Sequence, residues 1–263
     1  MLSGSTTVLV VAVLFLASFI RSAFGFGEAL IAVPLLALVL PVEVVAPVAV
    51  LASITVALVA VVQDSDHIEV RSAGWLVLST LPGIPLGLLL LKTISEPIVK
   101  CTLAVVIGVF SSYMLLRSRP REFPHDRFAW IFGFAAGVLG GAYGMNGPPL
   151  VIYGSLRRWS PEKFRATLQA YFLPASLLGM LGYFLAGFWT QTVTRLYLLS
   201  LPLGLAAIFS GRALNRRMNL RQFHLYVHSG LLVIAIILLI QALRTRLFTI
   251  HSGASFHLQW PIK

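Results

Sequence analysis

The sequence predicts an all-α polytopic membrane protein: two inverted repeats of about five helical segments each, with Gly/Pro-broken short helices in each repeat. Three observations lead there. First, 58% of the 263 residues are hydrophobic and 11% are charged, against roughly 25% charged in soluble domains; mean hydropathy is +0.89. Second, apolar runs recur along the chain near the ~20 residues that a helix needs to cross a bilayer. Third, two of those runs are short, each follows a Gly-rich break, and the breaks lie about 120 positions apart.

The apolar runs fall at 6–24, 28–40, 43–62, 72–91, 97–116, 127–143, 148–156, 164–187, 193–214 and 223–243. Residues 1–7 carry no charge, unlike the basic leader of a signal peptide, so the first run reads as a retained segment. The runs at 28–40 and 148–156 are too short to span as helices. Short, interrupted segments at matching positions of two halves are the sequence pointer to a transporter's binding site.

The second break lies in Gly137–Tyr153. Pro148 and Pro149 have no backbone N–H, and Gly147 is pushed from helical dihedrals by the proline after it. The backbone is therefore expected to open near Met145–Gly147 and restart as a helix with the prolines in its first turn. Irregular backbone at membrane depth persists only where protein buries it or where it lines a polar cavity. A restarting helix aims its positive dipole end at the gap, which favours an anion. The competing reading of the glycines is a tight packing contact ending in a kink. Gly83–Gly87 is read as a kink or packing feature.

The first break, Ala23–Ile31, resembles Ala142–Val151 with one residue inserted in the second copy. The same spacing sets Leu81-Pro82 on Leu201-Pro202 and Pro41 on Pro161. Three matches at one offset indicate a duplication.

Basic residues cluster at Arg117, Arg119, Arg121 and Arg127; at Arg157, Arg158, Lys163 and Arg165; and at Arg212, Arg216, Arg217 and Arg221. Placing these loops in the cytoplasm leaves both termini on the outer side. Segment 6–40 then enters and leaves from outside, and 127–156 enters and leaves from inside, so the repeats are inverted. Whether each broken pair is two full spans or a re-entrant hairpin stays open. The division is 1–118 for the N-terminal repeat, 119–127 for a cytoplasmic linker, 128–246 for the C-terminal inverted repeat and 247–263 for a poorly ordered tail. The net charge of +11 sits in loops, which is the pattern of membrane orientation and not of nucleic-acid binding. The single cysteine, Cys101, excludes an internal disulfide and a Cys-based zinc site.

Glu28 is an ionisable group at a membrane break, which marks it as a functional candidate. It can accept a proton in a cavity or reach a solvated interface. Arg21, one helical turn before the break, can offset an anion's charge, pair with Glu28 or snorkel to headgroups. Asn146 can donate to an anion or cap the following helix. Tyr143 and Tyr153 can supply hydroxyls or belong to an aromatic belt. Gln169 shares a helix face with Arg165, which reads better as a cytoplasmic gate or headgroup contact. With the break residues Gly25, Phe26, Gly27, Gly144, Met145, Gly147 and Pro148, these complete the candidate substrate-binding set. Ser53 and Thr55 read as helix-packing residues. His224 and His228 share a face but lack the partners of a metal site. No catalytic residue, metal or cofactor is expected.

The Phe24-Gly25-Phe26-Gly27…Pro34-Leu35 stretch, the Gly137…Gly140-Gly141…Gly144…Gly147-Pro148-Pro149-Leu150 stretch and Phe164-Arg165-Ala166-Thr167 resemble the sulfite exporter TauE/SafE family over about 8–243. The resemblance implies an inner-membrane carrier, often an exporter, for sulfite, sulfonates such as sulfoacetate, or related organic acids, held between two inverted halves. Its partners would be a small anion, a coupling proton or cation, and the lipid bilayer; self-association is left open, and nucleic acid is not a partner. Glu28 departs from the family form, where a small residue is usual. Rival readings are an anion channel, a non-transporting assembly subunit and a membrane-embedded enzyme; no nucleophile–base or metal constellation supports the last.

Overall fold

The computed structural model describes residues 3–63, 68–116, 126–214 and 220–251. Among these it is all-helical: α1 (Gly4–Phe24), α2 (Glu28–Ala37), α3 (Val42–Gln63), α4 (Val70–Thr93), α5 (Glu96–Leu116), α6 (Ala129–Tyr143), α7 (Gly147–Leu156), α8 (Pro161–Leu185), α9 (Gln191–Leu214) and α10 (Leu220–His251), with a 3-10 turn at Asp126–Phe128 before α6. The helices coincide with the apolar runs apart from a few residues at their ends. α10 is the exception: it continues to His251, five residues into the stretch read as a disordered tail. Residues 252–263 lie outside the described residues, as do Arg119, Arg121, His67 and His125. Nothing is described of the side chains of Arg127, Arg212, Arg221 and His224.

Among the described residues, six helices are long and apolar enough to cross a membrane. Large apolar side chains face outward along them, including Leu78, Val109, Phe184 and Phe209. Only a hydrocarbon surround makes such exposure cheap. Exposed Trp75 and Trp130 lie near the starts of α4 and α6, and exposed Trp189 lies just before α9, the placement expected of interfacial aromatics.

α3 and α8 are the most enclosed long helices, with 56% and 50% of their apolar windows buried, against 28% for α9. They cross at mid-length, where the hydroxyls of Ser53 and Ser176 stand 3.2 Å apart. α1 packs on α9, α4 on α6, and α5 on α10. The α4–α6 contact is close because glycines remove the side chains between the backbones. A Cβ on Gly133 would strike the Leu76 carbonyl, one on Gly137 the Thr80 carbonyl, and one on Gly141 the Ile84 carbonyl. Each four-residue step on α6 meets a four-residue step on α4 in the same direction, so the two helices run parallel. Gly83 and Gly87 complete the contact from α4, a small-residue seam of the kind that drives helix association in lipid. Gly83–Gly87 is thus a packing feature. The packing reading of Gly137 and Gly141 also holds, while Gly140 and Gly144 serve the break.

Candidate functional site

α1 ends at Phe24, and Gly25 and Gly27 follow with φ of 85° and 100°. Side chains are strained there, and at Gly25 the stem of Arg165 fills the place a Cβ would take. The chain then doubles back: Glu28, first residue of α2, accepts from Ser18 and Arg21, ten and seven positions earlier on α1. α6 ends at Tyr143 with Gly144 at φ 66°. α7 starts at Gly147 with both prolines in its first turn, where the sequence placed the restart. Its far end returns to the start of α6. The Tyr153 hydroxyl donates to Asp126 Oδ1 at 2.6 Å, and the Arg157 guanidinium lies 3.4 Å from the same oxygen. Each broken pair is therefore a hairpin. α2 and α7 have 10 residues each, about 15 Å at 1.5 Å per residue, half of a bilayer core.

The open alternatives for Arg21 resolve at the first break. Its Nη1 donates to Glu28 Oε2 at 2.7 Å and to Ser53 Oγ, and its Nη2 donates to Gln169 Oε1 at 2.9 Å. The guanidinium carbon lies 4.7 Å from the centre of the Phe172 ring, a cation–π distance. Ser18 donates to Glu28 Oε1 at 3.1 Å, and Gln169 Nε2 donates to the Gly25 carbonyl at 2.9 Å. Arg21 and Glu28 are 2% and 1% exposed, so the pair is an internal ion pair and neither group snorkels. Arg21 Nε has no hydrogen-bond partner. An unused donor on a buried cation is costly unless something else visits it.

At the second break Asn146 does not cap α7. A cap accepts from the N–H groups of the second or third helical residue, and those residues are Pro148 and Pro149. Its amide instead packs on Gly140, with Nδ2 3.4 Å from the Tyr171 hydroxyl. That hydroxyl also bonds Thr80 at 2.7 Å. The prolines leave Gly147 as the free N–H of the first turn, so α7 contributes a dipole end and one donor.

The two breaks line one cavity. Arg21, Phe26, Gly27 and Glu28 face Gly144, Asn146, Gly147 and Pro148 across it, with Ser53, Phe110, Val151 and Phe172 closing the sides. The free space is about that of a single water molecule. Gly25 and Gln169 stand directly behind Arg21. Other expected residues lie elsewhere. The Tyr143 hydroxyl donates to the Val99 carbonyl at 3.2 Å, because the last residue of α6 faces α5. Met145 is fully buried in the apolar core. Tyr153, seven residues into α7, is carried to the hairpin's outer end. Arg165 lays its stem over Gly25. The sequence reading passed over Ser18, Phe172, Tyr171 and the role of Ser53. No sequence signal singles out these hydroxyls and rings from others in apolar helices.

The outer end of the α6–α7 hairpin is a separate polar cluster. Partial burial pushes the Asp126 carboxyl up, but the Tyr153 and Ser72 hydroxyls and the Arg157 and Arg71 charges outweigh it and hold the group below its ordinary value. Nearby, Lys163 pairs with Glu69, tying α8 to the start of α4.

No curated protein and no solved structure matches the chain. A family model described as Sulfite exporter TauE/SafE matches residues 10–238, nearly the full length. With a helical membrane architecture and a cavity between two broken hairpins already in view, the match has a structural basis: the chain belongs to the TauE/SafE sulfite exporter family.

Proposed function

We propose that the protein is an inner-membrane secondary transporter, an exporter by family resemblance, of small sulfur-containing or organic anions such as sulfite, sulfoacetate or other sulfonates. It works by alternating access at the interface of two inverted repeats, 1–118 and 128–246, with both termini on the periplasmic side. Several observations support the repeat. α2, α3, α4 and α5 start at 28, 42, 70 and 96, and α7, α8, α9 and α10 start at 147, 161, 191 and 220, each about 120 positions later. The partner of α1 is α9, and that of α6 is α4, as a two-fold exchange of halves requires. Ser53 and Ser176 meet where such an axis would pass, and Pro82 and Pro202 lie inside the corresponding helices α4 and α9.

The observation that carries the function is the shared cavity: two half-helix N-termini converge on a buried arginine. Positive dipole ends plus one guanidinium, set in low dielectric, suit a small oxyanion. Arg21, Gly27, Gly147 and Asn146 would hold it, and relative movement of the halves would open the space to each side in turn. Sulfite uptake into proteoliposomes tests the reading. Asn146→Leu, which keeps volume and removes both amide donors, abolishes uptake while the unfolding temperature stays close to wild type. Undiminished uptake removes Asn146 from the site.

A further inference from the structure

We propose that Glu28 is the proton-exchanging group of this carrier. Its carboxylate and the transported anion take turns on Arg21, and Ser18 joins Glu28 to a second, hydroxyl-lined cavity through which the proton travels. The inference rests on the transport reading above.

An anion entering the site finds its cation already taken. Arg21 Nη1 is held by Glu28 and Ser53, and Nη2 by Gln169. An ionised Glu28 and a second anion on one buried guanidinium would place like charges together in low dielectric. A protonated Glu28 gives up Nη1 at little cost, and the unpartnered Nε offers a second donor for bidentate binding.

The proton has its own way in. Ser18 Oγ, which donates to Glu28 Oε1, also lines a cavity between α1, α3 and α9 with Thr55, Tyr197 and Ser200. The Thr55 and Tyr197 hydroxyls are 2.7 Å apart. Hydroxyls both donate and accept, so they can pass a proton. The remaining wall, Leu14, Val56 and Ile208 among it, carries no charge to attract an anion. Among the described residues, Glu28 is the carboxylate that lines the break cavity, and none lines the second. The groups facing it are Arg21 from α1, Ser53 from α3 and Gln169 from α8. The Arg165 stem lies beside Gly25, and His228 of α10 stands behind Phe110 of α5.

The cycle balances. Glu28 gains a proton on a carboxylate oxygen, its ion pair with Arg21 opens, and the anion's charge replaces that of the carboxylate. On the other side the anion leaves, Glu28 releases the proton, and the pair re-forms. The site is neutral both empty and loaded, so one proton accompanies each monoanion, and export runs when the anion's outward gradient exceeds the inward proton gradient.

The test uses proteoliposomes and labelled methanesulfonate, a monoanion whose charge is constant over the working range. Wild type exchanges it at symmetric pH, and a gradient of about one unit drives roughly tenfold accumulation, the free-energy equivalent of that gradient, regardless of membrane potential. Glu28→Gln retains measurable exchange and loses gradient-driven accumulation. Tyr197→Phe leaves the Arg21 cluster intact and slows accumulation several-fold while exchange stays as in wild type. Accumulation by Glu28→Gln equal to wild type overturns the inference and leaves transport standing, as does Tyr197→Phe with wild-type accumulation rates if Glu28→Gln fails to fold. Absence of exchange by wild type overturns both.

Discussion

At the first break two glycines hold left-handed dihedrals and the returning helix starts on a carboxylate; at the second one glycine does so and the returning helix starts on two prolines. The backbone device is shared, but the chemistry is divided. The first hairpin brings the charge: Arg21 and Glu28, held by side chains from α3 and α8. The second brings shape and a dipole end, with Asn146 as its polar side chain. The supporting contacts differ in the same way. α4 and α6 are locked backbone to backbone by glycines along their contact, whereas α1 and α9 approach this way at Gly211 and leave a hydroxyl-lined cavity further along. One break thus carries the binding charge, and the other sits in the more rigid frame.

The largest expected effect tests the charged half. Arg21→Gln strands a buried carboxylate, which costs about 3–5 kcal/mol, read as thermal unfolding in detergent. Adding Glu28→Gln removes the stranded charge and recovers most of that loss. A single variant as stable as the double would show that the pair contributes nothing to the fold. The next effect sharpens the contrast between the two helix contacts. Gly137→Ala drives a Cβ into the Thr80 carbonyl and destabilises by about 1–3 kcal/mol. Gly204→Ala on α9, with nothing within 4 Å of the added atom, is neutral or up to about 1 kcal/mol stabilising through helix propensity. Equal losses at both sites would erase the distinction.

The smallest effect lies at the outer end of the α6–α7 hairpin. Asp126 is held below its ordinary value by the surrounding hydroxyls and guanidiniums against its partial burial. A depressed folded-state pKa contributes stability above the unfolded value and loses it as pH falls through the folded one. Asp126→Asn therefore costs about 0.5–1 kcal/mol at neutral pH, and the difference from wild type vanishes in acid. A difference that persists below the carboxylate range would assign the effect to packing.

Much of this architecture could be read from residues alone, for identifiable reasons. Helix positions followed from apolar runs, because lipid demands internally satisfied backbone. Both breaks followed from glycine and proline, whose limits are local. Three-dimensional partners did not. Arg21 meets Ser53 across 32 positions and Gln169 across 148, yet other hydroxyls such as those of Ser200 and Thr93 bond their own helix carbonyl four residues back. Nothing in sequence separates these two fates. Tyr143 and Tyr153 flank the second break in sequence, but the hairpin turns their hydroxyls toward α5 and Asp126. The capping alternative for Asn146 fails for a more legible reason, since the two prolines that mark the break also remove the N–H groups it would have capped.

Sulfite binding to the purified Arg21→Gln/Glu28→Gln protein, measured by calorimetry beside wild type, addresses the central claim most directly. The double substitution keeps the site neutral and the fold intact, so binding is isolated from stability. Wild type binds sulfite, and the double variant, unfolding near the wild-type temperature, does not. Sulfite bound equally well without either charge would place the anion somewhere other than between the two breaks.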